Sequence, residues 1–263
     1  MPLTDARAWL TRHRNADGSW GYVPGDPGAG EATLLASASG QTPPLDWLAT
    51  ADLGWSQLMV PFCLEHVPGA DALLDAAREL ILGRTGVVVQ VDYAFDPSIP
   101  AWPWFPGTSP WVEPTSYAVL SLRRMGMQSH ERCEQGVRML LDRQCADGGW
   151  NYGNPEILGA ALESDLTTTA RAALALPTSE ATARALTRLE HALEIPSTEH
   201  LSLAALAHVT HGADPSRFIE ALVSRQQSDG GFTGRVDRTA LAAMAMAAAE
   251  GEWVPLFVRE NGP

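Results

Sequence analysis

Four short segments place a threonine two residues after a carboxylate: Glu31-Ala32-Thr33, Glu113-Pro114-Thr115, Asp165-Leu166-Thr167 and Asp237-Arg238-Thr239. Each opens an apolar run. Two further runs open with His200-Leu201-Ser202 and Gly54-Trp55-Ser56. A carboxylate is an ionised anchor in water. Crowded by like charges or apolar walls, it becomes a neutral acid able to give up a proton. If the starts of these runs converge, Glu31, Glu113, Asp165 and Asp237 rim one site with His200 among them. Asp165 is then the candidate proton donor, with Glu113 and His200 as candidate catalytic partners. A local reading competes: an acid at a helix start caps free N–H groups, and the helix dipole lowers its pKa.

The candidate substrate-binding groups are Glu31 and Asp237 on the rim and the aromatic residues Trp55, Trp102, Trp104, Trp111 and Tyr117. Ring faces stabilise cations. Three of these rings belong to an aromatic and proline-rich loop at 84–111, which otherwise serves as a plug. Cys63, Cys133 and Cys145 show no CxxC spacing, and His208 and His211 lack a third ligand at fixed spacing. No metal and no cofactor are expected. Gly148-Gly149 and Gly230-Gly231 are turn glycines without a following GK[ST], so they are not phosphate loops. The net charge of −13 argues against a nucleic-acid partner. All 18 basic residues are arginine, which excludes a lysine Schiff base.

These residues need a scaffold, and the chain's internal repeats describe one. Gln144-Cys145-Ala146-Asp147-Gly148-Gly149-Trp150 returns as Gln226-Gln227-Ser228-Asp229-Gly230-Gly231-Phe232, and a looser copy is Arg14-Asn15-Ala16-Asp17-Gly18-Ser19-Trp20. Helices with an apolar stripe are expected at Leu3–His13, Ala70–Leu82, Glu131–Gln144, Glu180–Leu193 and Phe218–Gln226. Helices apolar nearly all round are expected at Glu31–Ser39, Asp52–His66, Thr115–Met125, Asp165–Leu176, Leu201–Val209 and Arg238–Ala249. A short strand is expected over Gly86–Asp92. Helices apolar on all sides must be covered on all sides. The alternation therefore predicts an all-α fold, an α/α toroid with about six inner and five to six outer helices. It forms a single domain over 1–263. In such a ring the inner N-termini meet at one end. The N-terminus has no signal-peptide core, and the longest apolar run, Thr239–Ala249, is too short to cross a bilayer. A cytoplasmic chain with no transmembrane segment is expected.

The QxxDGGW and QxxDGGF turns resemble the QW motif, the squalene cyclase repeat of squalene–hopene cyclases and related terpenoid cyclases. Protein prenyltransferase β subunits carry looser forms of these repeats on the same toroid. The helix start WVEPTSYAVLSL (Trp111–Leu122) resembles those of bacterial prenyltransferase/squalene-oxidase-repeat proteins. The resemblance implies a terpenoid-cyclase-like or prenyltransferase-like toroid that binds an apolar or isoprenoid-like small molecule. If catalytic, it is a cyclase or isomerase of class II type, metal-independent and proton-initiated. The match breaks at the DxDD acid motif, where this chain has Glu163-Ser164-Asp165-Leu166. Asp165 aligns with the central, proton-donating acid. In squalene–hopene cyclases a histidine supports that acid, a part His200 would play. The alternative is a non-catalytic toroid whose acidic mouth binds a cationic peptide or protein, and a protein partner or homo-oligomer stays open. A closed apolar cavity reaching the acids favours the enzyme. A filled centre with an open acidic face favours the binding module.

Overall fold

The computed structural model describes residues 1–88 and 95–255. In chain order the helices are α1 (Pro2–Arg12), α2 (Gly30–Ala38), α3 (Leu45–Thr50), α4 (Val60–Leu64), α5 (Asp71–Gly83), α6 (Val112–Arg124), α7 (Glu131–Asp142), α8 (Leu166–Ala175), α9 (Glu180–Leu189), α10 (Thr198–Thr210), α11 (Ser216–Val223) and α12 (Val236–Ala249). A small antiparallel hairpin, β1 (Glu156–Ile157) with β2 (Ala160–Ala161), lies between α7 and α8.

Helices α2, α4, α6, α8, α10 and α12 pack in that cyclic order, and α12 closes back on α2. Outside them α1 packs on α12, α5 on α4, α7 on α6, α9 on α8 and α11 on α10. The sequence explains the division. Helix α12 buries almost every residue from Val236 to Ala248, and its alanines let neighbours approach closely. Helix α7 buries only Cys133, Gly136, Met139 and Leu140 and turns its charges outward. No helix among the described residues is long and apolar enough to cross a membrane.

Two local expectations are corrected. The segment Asp52–His66 is not one helix: a 3₁₀ turn, Gly54–Met59, precedes the short α4. Pro61 sits in the first turn of α4, where its missing N–H leaves no bond unmade. Residues 86–88 form no strand, and the rest of that expected strand, like Tyr93, lies outside the described residues. The β-hairpin before α8 had no expectation at all.

The inner helices are tied to the aromatic turns by one repeated contact. The fourth residue of α2, Thr33, accepts the Trp20 N–H through its hydroxyl at 3.0 Å and donates to the Trp20 carbonyl at 3.1 Å. Thr169 of α8 does the same for Trp150, at 2.9 and 3.2 Å. Thr239 of α12 accepts from Phe232 at 3.0 Å. Each indole also donates to the C-terminal end of an outer helix: Trp20 to the Leu10 carbonyl and Trp150 to that of Leu140. The turn glutamines close the same joint. Gln144 Nε2 donates to the Gly148 and Ala181 carbonyls, and Gln226 Nε2 to those of Gly230 and Pro2. Gly148 and Gly230 have φ of 90° and 93°, a region that L side chains rarely adopt.

Trp102 is a fourth member of this set. Its N–H donates to Thr115 Oγ1 at 3.2 Å, its indole donates to the Ile81 carbonyl at 2.7 Å, and its side chain is fully buried. It is therefore a structural joint between α5 and α6 and not an open substrate-binding surface. Trp102→Ala should cost about 3–5 kcal/mol in urea unfolding, the range for buried aromatics. Thr115→Val strands a buried N–H and should cost about 1–3 kcal/mol. Trp111→Ala, at a residue 40% exposed, should stay within about 0.5 kcal/mol. Equal losses for Trp102 and Trp111 would remove the distinction.

Candidate functional site

The N-termini of five inner helices converge, as their side-chain contacts show. The second residues of α2, α6, α10 and α12 are Glu31, Glu113, Glu199 and Asp237. In α8 that position is Thr167, and Arg171, one turn deeper, reaches sideways to both neighbours. Its guanidinium pairs with Glu113 of α6, and Nη2 lies 3.2 Å from Glu199 Oε1 of α10. Arg238 Nη1 takes the same Glu199 oxygen at 2.6 Å. Arg235 grips Asp237 through Nε and Nη2, both at 3.0 Å. Arg235 also lies 5.3 Å above the Tyr22 ring, and the Tyr22 hydroxyl donates to Glu31 Oε2 at 2.7 Å. A continuous polar arc thus runs from α6 through α8, α10 and α12 to α2.

The gap in the arc, between α2 and α6, is aromatic. Trp55 on the 3₁₀ turn stacks on Tyr117 with centroids 5.7 Å apart. Trp104 meets Trp55 edge-on at 5.0 Å, and Phe62 of α4 stacks on Tyr117 at 6.0 Å. The Tyr117 hydroxyl lies 3.3 Å from Glu113 Oε1. Glu31 and Glu113 therefore flank the aromatic sector, one at each end of the arc.

Four carboxylates meet three guanidiniums here, and among the described residues Glu31 is the one with no ion pair. Burial pushes the Glu31 carboxyl above its usual range, against the pull of the Tyr22 hydrogen bond and of Arg171. Burial also raises Glu113, with Arg171 and the Tyr117 hydroxyl pulling the other way. Burial works against the charge of Arg171, yet the surrounding acids hold its pKa above the ordinary value. The phenols of Tyr22 and Tyr117 are raised chiefly by burial.

Beneath the mouth lies a cavity of about 30 Å³. The sixth residues of five inner helices, Leu35, Tyr117, Arg171, Leu203 and Leu241, all line it, together with Glu31 and Phe62. Its walls are otherwise apolar, and its volume admits one or two waters. A second hollow, of about 590 Å³, is lined by Phe95, Trp111, Arg143, Asn151, Tyr152 and Glu163. Arg143 is already committed there to the Gly153 and Asp96 carbonyls and to Asp142.

Several expected site residues stand elsewhere. Asp165 caps α8: its Oδ1 takes the Thr168 N–H at 2.8 Å and the Thr168 hydroxyl at 3.0 Å. It precedes the ring position by two residues, because the staple threonine of α8 is Thr169 and not Thr167. His200 turns its ring to the Ile195 carbonyl, and Glu199 takes the place in the arc. Trp111 faces the outer hollow and Trp102 is a structural joint. Glu31, Glu113, Asp237, Trp55, Trp104 and Tyr117 do come together. Of the four acids at the mouth, Glu113, Glu199 and Asp237 hold the chain's own arginines. Glu199, Arg171, Arg235, Arg238 and Tyr22 were not anticipated. Glu199 was legible as the acid after the Ser197-Thr198 helix start. Arg171 gave no signal, because its partners come from two other helices, and the same holds for the pair of Arg238 with Glu199; Arg235 pairs locally with Asp237.

No family model matches the chain, and no curated protein matches it. Among solved structures it is similar to apo type II terpene cyclase MstE from Scytonema, at 14% identity over 94% of this chain and 97% of that one, TM-score 0.42. It is also similar to MstE_R337A in complex with geranylgeranyl dihydroxybenzoate, its substrate, at 12% identity over 95% and 97%, TM-score 0.36. A third is MstE_D109A in complex with merosterolic acid A, its product, at 14% identity over 95% and 96%, TM-score 0.38.

The raised Glu31 carboxyl has a thermodynamic consequence. The folded chain binds this proton more tightly than the unfolded one, whose carboxyl titrates near about 4.3. Stability linked to Glu31 is therefore lost as pH rises from that value through the folded one. Glu31→Gln keeps an acceptor for Tyr22 and removes the titration. Its urea midpoint should fall less than wild type as pH rises from about 4.3 to neutrality. Parallel pH profiles would show that Glu31 is ionised throughout.

Proposed function

We propose that the chain binds an apolar, isoprenoid-like alkene at the aromatic end of the mouth and initiates its cyclisation or isomerisation by protonation from Glu31. The observation that supports this most is the uneven charge of the arc: among its four acids Glu31 alone forms no salt bridge, and it borders a mostly apolar cavity that Arg171 also lines. A neutral carboxylic acid in an apolar wall is the form a proton donor needs. The faces of Trp55, Tyr117 and Phe62 stand beside it, where a carbocation is stabilised by ring quadrupoles. Glu113, paired with Arg171 and reached by the Tyr117 hydroxyl, sits across the same sector, in place to take a proton back. The reaction uses this chain's own acid and base.

The cavity is too small for an isoprenoid as it stands, so binding requires the Trp55–Trp104 contact to open. Trp55 rides on a 3₁₀ turn and not on a full inner helix, which makes this the ring's least constrained sector. Farnesol and geranylgeraniol are suitable probes. Incubation in D₂O should place solvent deuterium on carbon in the product. Glu31→Gln should lower the rate by about 10²–10⁴-fold, the usual worth of a general acid, and leave the helical circular dichroism unchanged. Asp165→Asn should leave the rate near wild type. A chain that neither binds nor converts these probes would overturn the reading, and so would an Asp165→Asn variant that alone is inactive.

A further inference from the structure

Glu31 is held by one hydrogen bond, and that bond touches only one of its oxygens. The Tyr22 hydroxyl meets Oε2 at 2.7 Å, while Oε1 receives no hydrogen bond among the described residues. Tyr22 itself is fixed from two sides by the start of α12. The Val236 N–H donates to the Tyr22 carbonyl at 2.9 Å, and the Arg235 guanidinium covers the ring. Arg235 is in turn locked to Asp237 by its two bonds. The backbone of Tyr22 and one face of its ring are thereby held against the start of α12.

Resting on the proton-donor reading of Glu31, we propose that Tyr22 is a positioning residue that keeps Oε2 as the acceptor and so places the transferable proton on Oε1. A carboxylic acid has one O–H. With Oε2 occupied as an acceptor, the hydrogen resides on Oε1, the oxygen left for the ligand. When the Oε1–H bond breaks, its electron pair stays on Oε1 and the proton forms the new C–H bond at the alkene. The charge left on the carboxylate is met by the Tyr22 O–H, which strengthens as the anion develops. Tyr22 thus exchanges no proton with the substrate.

The test is a site-resolved titration of Glu31 by carbon-13 NMR in wild type and in Tyr22→Phe, with no ligand present. A phenol that donates stabilises the anion, so its loss should move the Glu31 midpoint to higher pH. A fluorotyrosine at position 22, a stronger donor of the same shape, should move it lower than wild type. This graded order does not arise from a purely structural role. A downward shift in Tyr22→Phe would mean that the phenol accepts the proton, and an unchanged midpoint would mean that it does not position Glu31. Either result overturns the assignment while leaving Glu31 as the acid. A wild-type midpoint at or below the ordinary glutamate value instead overturns the proton-donor reading, and this inference with it. If Tyr22→Phe loses its fold by circular dichroism, the fluorotyrosine chain alone decides by the direction of its shift.

Discussion

A threonine hydroxyl that both accepts from and donates to one backbone residue is the contact on which this architecture depends. It occurs at Thr33, Thr115 and Thr169, each at the fourth position of an inner helix, and Thr239 repeats the accepting half. Inner helix starts carry unpaired N–H groups, and the turn before them carries unpaired backbone of its own. The hydroxyl satisfies the turn while leaving the helix ladder intact. The same threonine fixes the helix in rotation. Once position four faces the turn, positions two and six face the mouth and the cavity. The convergence of Glu31, Glu113 and Asp237 follows from that rotation, while Glu199 joins them from α10, whose fourth residue is Leu201.

Gathering four acids in one buried mouth is costly, and the chain resolves the cost with arginine. Planar guanidiniums reach two partners at once, which a lysine ammonium does less well. Arg171 spans α6, α8 and α10, and Arg238 continues the path to α12. Removing one member would leave a buried charge without compensation, so the arc acts as a unit. Its termination at Glu31 is then informative. A scaffold that neutralises three acids and leaves the fourth to a phenol creates two kinds of carboxyl in one site, which acid–base chemistry requires.

The alternation of all-apolar and one-faced helices made the all-α ring legible, because burial on every side has few solutions. The register of the site was less legible. Asp165 matched the acid-x-Thr pattern by letter, yet three consecutive threonines, Thr167 to Thr169, concealed which one was the staple. Trp102 lacked the Asp-Gly-Gly signature, although its separation of 13 residues from Thr115 equals that of Trp20 from Thr33. The 3₁₀ turn at Gly54–Met59 was read as helix because composition does not reveal a shortened inner member. Cross-helix ion pairs are tertiary facts, and no local pattern encodes them.

The distance between staple partners along the chain is 13 residues twice, 19 for Trp150 and Thr169, and 7 for Phe232 and Thr239. The joint is the same while its connecting segment is not. Both ends of each segment are clamped by the same bonds, and closing a longer segment costs little additional entropy. The exposed hairpin before α8 occupies the longest of these intervals. Three of the four segments also carry residues of the mouth: Tyr22 and Glu31 in the first, Trp104 and Glu113 in the second, and Arg235, Asp237 and Arg238 in the shortest. Length can therefore change at a joint, as it does at the hairpin, without moving the helix starts that build the mouth.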